Sequence, residues 1–362
     1  MRQRWNCFRL SVALCAGTVA IASVAAASTI TQNTSWTVNR SASSTYRVTA
    51  YGDSIFAGWE GDLFDVAIWS AAAVDGDYAS NYWLTNVNIQ RRCKSGAVAS
   101  DIYNNKIVAE RSYMQASNTR IVTFEMCGND FLQARSNFEG QSGKCDYTPL
   151  NNALANCTTY QQAAMQYINA NAYAGIKAKI ATTIYYPGYN ADNKTGTCTK
   201  NGVAVNYQNE FLPYLAHSNW RLCNFANTYG FACADSFAQF MGWDYDTNGD
   251  GLIDSDGLKY IQGESEADYV TRITSTLRST IHDATSHRIN STTSYNYLQS
   301  DNVHPTYSGG YIFLNWFTGY GSGSAPPDFT PSQFVNGKNP IWNRYGHERM
   351  GWQMSVFNPA TP

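Results

Sequence analysis

Charge is scarce in this chain: only 14% of its 362 residues are Asp, Glu, Lys or Arg, well below the usual quarter. The 25 Lys and Arg are outnumbered by 27 Asp and Glu, and Arg2, Arg4 and Arg9 crowd into the extreme N-terminus. A broad basic footprint for nucleic acid is therefore excluded. No C-x-x-C pair occurs among the nine cysteines, which argues against structural zinc and thioredoxin-like redox chemistry. Beyond the N-terminus no segment is apolar enough to span a bilayer. No G-x-S-x-G sequence is present either, so the nucleophile elbow of the α/β-hydrolase fold is missing.

What fills the gap left by charge is Asn, Ser, Thr, Gly and Tyr, a surface soluble through hydroxyls and amides. The N-terminus agrees with export. Three arginines precede the apolar run Leu10–Ala26, and Ala25-Ala26-Ala27 offers an A-x-A cleavage site, so residues 1–27 are expected to be a removed signal peptide. The expected location is secreted, extracellular or periplasmic. With Cys7 and Cys15 in that leader, Cys93, Cys127, Cys145, Cys157, Cys198, Cys223 and Cys233 are left for an oxidising compartment. The number is odd, so at least one is free or bonds another chain. The first expectation is Cys145 with Cys157, closing a small loop; the next is Cys198 with Cys223 or Cys233.

Strand-like and helix-like stretches alternate. Tyr46–Tyr51, Val87–Arg92, Arg120–Met126, Lys179–Tyr186 and Gly230–Ala234 suit strands. Ala99–Gln115, Leu150–Ala172, Gln208–Thr228 and Glu264–Asp283 suit helices. The alternation predicts a three-layer α/β/α sandwich around a mostly parallel five-stranded sheet. Residues 28–44, being polar, are expected to be a flexible lead-in.

In such sheets reactive groups gather beyond the carboxyl ends of the strands. Ser54 follows the first strand in Gly52-Asp53-Ser54, Gly96 follows the second, and Asn129 the third. A residue in the first turn, Asp53 or Ser54, caps a helix, or Ser54 is held out for chemistry. Late in the chain Asp301-Asn302-Val303-His304-Pro305 places a carboxylate three residues before a histidine. His304 can take the proton of Ser54 while Asp301 fixes its tautomer. His217 and His282 fall in helical patterns, and His287 and His347 lack an equally placed acid.

Gly52-Asp53-Ser54, Gly96, Cys127-Gly128-Asn129-Asp130 and Asp301-Asn302-Val303-His304 resemble, in order, the four blocks of the SGNH (GDSL) hydrolases. Gly-Asp-Ser alone arises by chance in roughly one chain in ten; four blocks at strand ends do not. The resemblance covers about residues 45–320 and implies a flavodoxin-like sandwich. It implies Ser54 as nucleophile, His304 as base, and Asp301 as its orienting acid. The oxyanion hole would be the N–H of Ser54, the N–H of Gly96 and the side-chain amide of Asn129. The implied activity is that of a secreted serine carboxylic-ester hydrolase without organic cofactor, favouring lipid or phospholipid acyl esters. Acetylated glycans as substrate, acyl transfer to an alcohol, and a non-catalytic binding role on the same fold are the alternatives. A lipid substrate would bring transient contact with a membrane or lipid surface. One position departs from the family pattern. Cys127 stands where a glycine is usual, and it is expected to keep ordinary dihedrals, either unpaired or bridged to Cys93.

A separate stretch, 244–257, resembles a calcium loop of the EF-hand or dockerin type. Asp246, Asn248 and Asp250 fall at alternate positions, Gly251 takes the turn, Leu252 offers its carbonyl, and Asp254 or Asp256 stands in for the acid missing at Gly257. The resemblance implies a structural calcium in an insertion. The last segment, 321–362, carries Phe329, Phe334, Trp342, Tyr345, Trp352 and Phe357, read as an aromatic strap over the domain.

Overall fold

The computed structural model describes residues 31–39, 42–59, 85–288, 290–292, 294–296, 298 and 301–305. The leader 1–27, the apolar stretch Gly309–Phe317 and the strap 321–362 lie outside them. Six strands form the main sheet: β1 (Thr31–Val38), β2 (Thr45–Gly52), β3 (Asn86–Lys94), β4 (Thr119–Glu125), β5 (Ala178–Thr182) and β6 (Ala232–Ala234). Their order is β1-β3-β2-β4-β5-β6, parallel throughout except that β1 runs antiparallel to β3. All five strands expected from the sequence are present.

The parallel strands, taken alone, follow the 2-1-3-4-5 order of flavodoxin-like sheets. In that order chain direction around the sheet reverses between β2 and β4, and a crevice opens beyond their carboxyl ends. Val48 through Gly52 of β2 are buried one after another. Side chains on a strand alternate faces, so an unbroken buried run means that both faces of the strand are covered.

Within the lead-in expected at 28–44, Thr31–Val38 instead form β1. Its polarity misleads because an edge strand needs only one apolar side: Val38 is buried and Trp36 packs on the core, while Asn33, Thr34 and Ser35 face water. The arginine below ties this edge to the site, for Arg91 of β3 donates to Thr34 Oγ1 at 2.9 Å and to the carbonyl of Ala57.

Helix α1 (Ser54–Ala57) is one short turn; α2 (Gly128–Glu139), α3 (Thr148–Asn171) and α4 (Tyr207–Tyr229) are longer. Helix α3 packs against both α2 and α4. The expected helix over Glu264–Asp283 is broken up: an α-helical turn over Glu266–Thr271 widens to a π-helix at Arg272–Thr276, then a 3-10 turn covers Arg278–Thr280.

Disulfide pairing differs from expectation. The bridges are Cys127–Cys157, Cys145–Cys198 and Cys223–Cys233, and Cys93 is free and buried. Cys145 cannot serve Cys157, because residues 143–144 pair with the strand that carries Cys198, whereas Cys157 lies inside α3 facing the turn at Cys127. Burial pushes the Cys93 thiol well up, which leaves it inert.

Candidate active site

The first turn settles which residue caps. Asp53 is the N-cap of α1 and accepts from the N–H of Ile55 at 2.8 Å, so Ser54 is left as the first helical residue with its hydroxyl uncommitted to the backbone. Glycine precedes it for space: a Cβ on Gly52 would lie 2.7 Å from Cβ of Phe56. Ser54 is 7% exposed, buried rather than on open surface.

Across 250 residues of sequence, His304 Nε2 lies 2.8 Å from Ser54 Oγ. The other ring nitrogen, Nδ1, lies 2.5 Å from Asp301 Oδ2. The remaining oxygen of Asp301 accepts from the N–H groups of Val303 at 2.9 Å and His304 at 3.0 Å. Burial alone would raise the Asp301 carboxyl, but the hydrogen bond and charge of His304, with those two N–H groups, hold it below the usual range. An ionised Asp301 only accepts, so Nδ1 carries the proton and Nε2 presents its lone pair to the serine. Tyr185, from the segment after β5, donates its hydroxyl to the carbonyl of Val303 at 2.5 Å and so pins the histidine turn. The ring of Trp59 stands 6.2 Å from that of His304.

The other two turns arrive beside the first. Gly96 takes φ 73°, the left-handed region that glycine favours, in a turn closed by the N–H of Ala97 on the carbonyl of Lys94. Asn129 donates to Asp53 Oδ2 at 2.9 Å and to the carbonyl of Ala97 at 3.1 Å. With acceptors on both sides, the Asn129 nitrogen and not its oxygen must face them. Asp130 accepts from the N–H of Ala99 at 2.8 Å, lacing the Gly96 turn to the start of α2.

Cys127 corrects an expectation. Its φ is 89°, not an ordinary value: it adopts the conformation a glycine would take there, as N-cap of α2. For a residue with a Cβ this costs of order 1–3 kcal/mol. The disulfide to Cys157 on α3 holds the turn from the other side. Gly128, next in the chain, is confined by carboxyls: a Cβ would meet Asp53 Oδ2 at 3.1 Å.

Asp130 carries a pH signature. Burial pushes its carboxyl up to about 6, only partly offset by the N–H groups of Ala99 and of Asp130 itself. The folded protein therefore holds this proton between about pH 4 and 6, where the unfolded chain has released it. Stability from this group is greatest in acid and falls by roughly 2–3 kcal/mol as pH rises through that window. Asp130→Asn should gain on the native protein as pH rises from about 4 to 7 in urea melts. An offset between the two that ignores pH would refute the assignment.

The residues that sequence reading passed over are Glu125, Tyr185 and Trp59. Glu125 left a trace: an acid closing a strand that the sheet buries on both faces is rarely incidental. Tyr185 and Trp59 left none, being two aromatics among many.

The calcium-like loop is only partly assembled. Asp246 accepts from the N–H groups of Asn248, Gly249 and Gly251, the last at 2.9 Å with Gly251 at φ 87°, and Asn248 and Asp250 make the next two turns. Asp254 departs from the expected set: it is buried, and its carboxylate is taken by His282 Nε2 at 2.9 Å and by the hydroxyl of Thr247. Asp256 departs too, drawn off by the ammonium of Lys259. Among the described residues, the acid, histidine or cysteine donors that converge within 4.8 Å in a set of three are Cys127, Asp130 and Cys157, whose thiols are oxidised. His282 lies outside the helix expected for it, with Asp254 as acid partner and its ring stacked on Trp243 at 3.4 Å.

No protein-family model matches the chain, and no curated protein matches it. Several solved structures resemble it in outline. A lipase from a goat rumen metagenome has 15% identity and a TM-score of 0.45, over 76% of this chain and 97% of its own. An acetylxylan esterase from Geobacillus stearothermophilus has 12% identity and a TM-score of 0.41, over 76% and 94%. A phospholipase A1 from Streptomyces albidoflavus has 18% identity and a TM-score of 0.35, over 66% and 100%. Likeness at this level bears on neither substrate nor mechanism.

Proposed function

We propose that this chain is a secreted serine ester hydrolase of the SGNH kind, acting through an acyl-enzyme on acyl esters of lipids or phospholipids. The observation that carries the reading is the continuous relay from Ser54 Oγ through the His304 ring to Asp301, at 2.8 Å and 2.5 Å. Hydroxyl, imidazole and carboxylate in that order make a nucleophile from an otherwise inert alcohol.

Attack of Ser54 Oγ on the ester carbonyl passes its proton to His304 Nε2. Asp301 stabilises the imidazolium through Nδ1. The oxyanion falls to the N–H of Ser54, the N–H of Gly96 and the Asn129 amide, each such donor being worth roughly 3–4 kcal/mol in the transition state. For Asn129 this means letting go of the longer of its two bonds, the one to Ala97, while Asp53 keeps the other. His304 then protonates the departing alcohol. Water, deprotonated by the same nitrogen, releases the acid. No step calls for a cofactor.

Trp59, half-buried beside His304, gives the site an aromatic face that supports an acyl chain. Each methylene buried there adds about 0.8 kcal/mol, so kcat/KM over p-nitrophenyl esters from acetate to palmitate should peak at about eight carbons or more. A peak at acetate would turn the reading to glycan deacetylation. Ester product formed on an added polyol would turn it to acyl transfer. Tight binding without turnover would leave a binding protein. Export is supported by the bridges, and no helix among the described residues is long and apolar enough to cross a membrane.

For the loop at 244–257 the proposal is a structural calcium held by a reduced set, Asp246, Asn248, Asp250 and the Leu252 carbonyl. At about a hundredfold excess over Kd such a site adds about 2.7 kcal/mol. Calcium should raise the melting temperature by roughly 5 °C over the chelated protein, without altering kcat. No shift would remove the metal from the account.

A further inference from the structure

Beneath the serine turn lies a carboxyl group that the hydrolytic steps leave unused. Glu125 ends β4, and it and Asp53 are each 1% exposed. Glu125 Oε2 lies 3.5 Å from the N–H of Asp53, which brings the two carboxyls side by side. Gly128 leaves room for the pair: a Cβ there would sit 3.1 Å from Asp53 Oδ2 and 3.6 Å from Glu125 Oε1. Two buried carboxylates in contact do not both ionise, so one proton stays between them.

The surroundings decide where it stays. Asp53 accepts from the N–H of Ile55 at 2.8 Å and from the Asn129 amide at 2.9 Å. Glu125 has no comparable support, and its buried Oε1 meets no donor. The anion therefore belongs on Asp53 and the proton on Glu125. Burial, then the charge of Asp53, push the Glu125 carboxyl well above the ordinary range. Burial raises Asp53 as well, against the pull of its donors. The other titratable groups facing the pair are Asp130 at the start of α2, His304 from its turn, Cys93 on β3 and Tyr185 after β5.

We propose that Glu125 is a positioning residue, whose neutral carboxyl donates to Asp53 so that Asp53, as the single anion, holds one N–H of the Asn129 amide and leaves the other toward the reacting carbonyl. Without the anchor on Asp53 the amide is free to turn its oxygen to the site, where it would repel the oxyanion. With both acids ionised, a second negative charge would sit behind the same hole. Because Glu125 acts through the oxyanion donor, this role rests on the ester-hydrolase reading.

The test uses the full-length protein and a p-nitrophenyl ester. Glu125→Gln keeps an N–H donor to Asp53 and should hold kcat within about threefold. Glu125→Leu removes the donor at similar volume and should lower kcat by about tenfold or more with KM little changed, as for a group that acts only in the transition state. In the Asn129→Ala background the leucine substitution should add almost nothing, because the two residues act as a unit. Equal losses in Gln and Leu variants, or a leucine loss undiminished without Asn129, would overturn the proposal. Infrared spectra at neutral pH give a readout that does not need the leucine variant to fold: a neutral buried carboxyl band present in the native protein and gone in Glu125→Gln supports the proposal, and its absence from the native spectrum sinks it. Should the native protein turn over no ester, or Ser54→Ala turn it over equally well, the hydrolase reading fails instead, and the infrared band still reports the proton on Glu125.

Discussion

Ser54→Ala should lose roughly 10⁴–10⁶-fold in kcat on a p-nitrophenyl ester while folding as the native protein does. The size follows from what remains. Without Oγ there is no acyl-enzyme, and only the oxyanion donors and binding act on direct attack by water. The fold should hardly notice, because the cap of α1 is Asp53 and the removed atom gives up a single bond, to His304. A net loss near 1 kcal/mol is expected. Three measurements check it: kcat by absorbance, melting temperature by circular dichroism, and covalent labelling by a fluorophosphonate, which should reach the native protein and miss the variant. Activity within tenfold of native in Ser54→Ala would end the nucleophile assignment.

Asn129→Ala should lower kcat by about 10²–10³-fold and leave KM nearly unchanged, since an oxyanion donor acts on charge that exists only in the transition state. Asn129→Asp should do worse than alanine. A carboxylate cannot donate, and it would add a third acid beside Asp53 and the buried Glu125, where mutual repulsion penalises the charge. Steady-state kinetics of both variants, with melting curves to exclude misfolding, decide it. If Asn129→Asp matched the native rate, Asn129 would be a turn residue and no more.

Much of the frame was legible in the residues because it depends on local chemistry. Tyr46–Tyr51 and Arg120–Met126 read as strands because β-branched and aromatic residues cluster in them, a preference that acts locally. The three turns that carry Ser54, Gly96 and Asn129 were legible as breaks after such runs, and Asp301 with His304 as an acid and base spaced to meet within one turn. β1 was not legible, since an edge strand with one wet face has the composition of a linker. Nor was the break in the helix expected at Glu264–Asp283, where the helical pattern continues but the chain leaves the helix in stages.

Sequence by itself determined the sheet's five parallel strands and the identity of the residues at their ends, because burial and turn chemistry act over a few neighbours. Only the tertiary structure decided that Cys127 reaches Cys157, that Asp254 turns inward to His282, and that Glu125 comes to lie beside Asp53 under the serine. Each of those depends on the approach of groups from separate elements to within a bond length or a hydrogen bond, a distance that no spacing along the chain encodes.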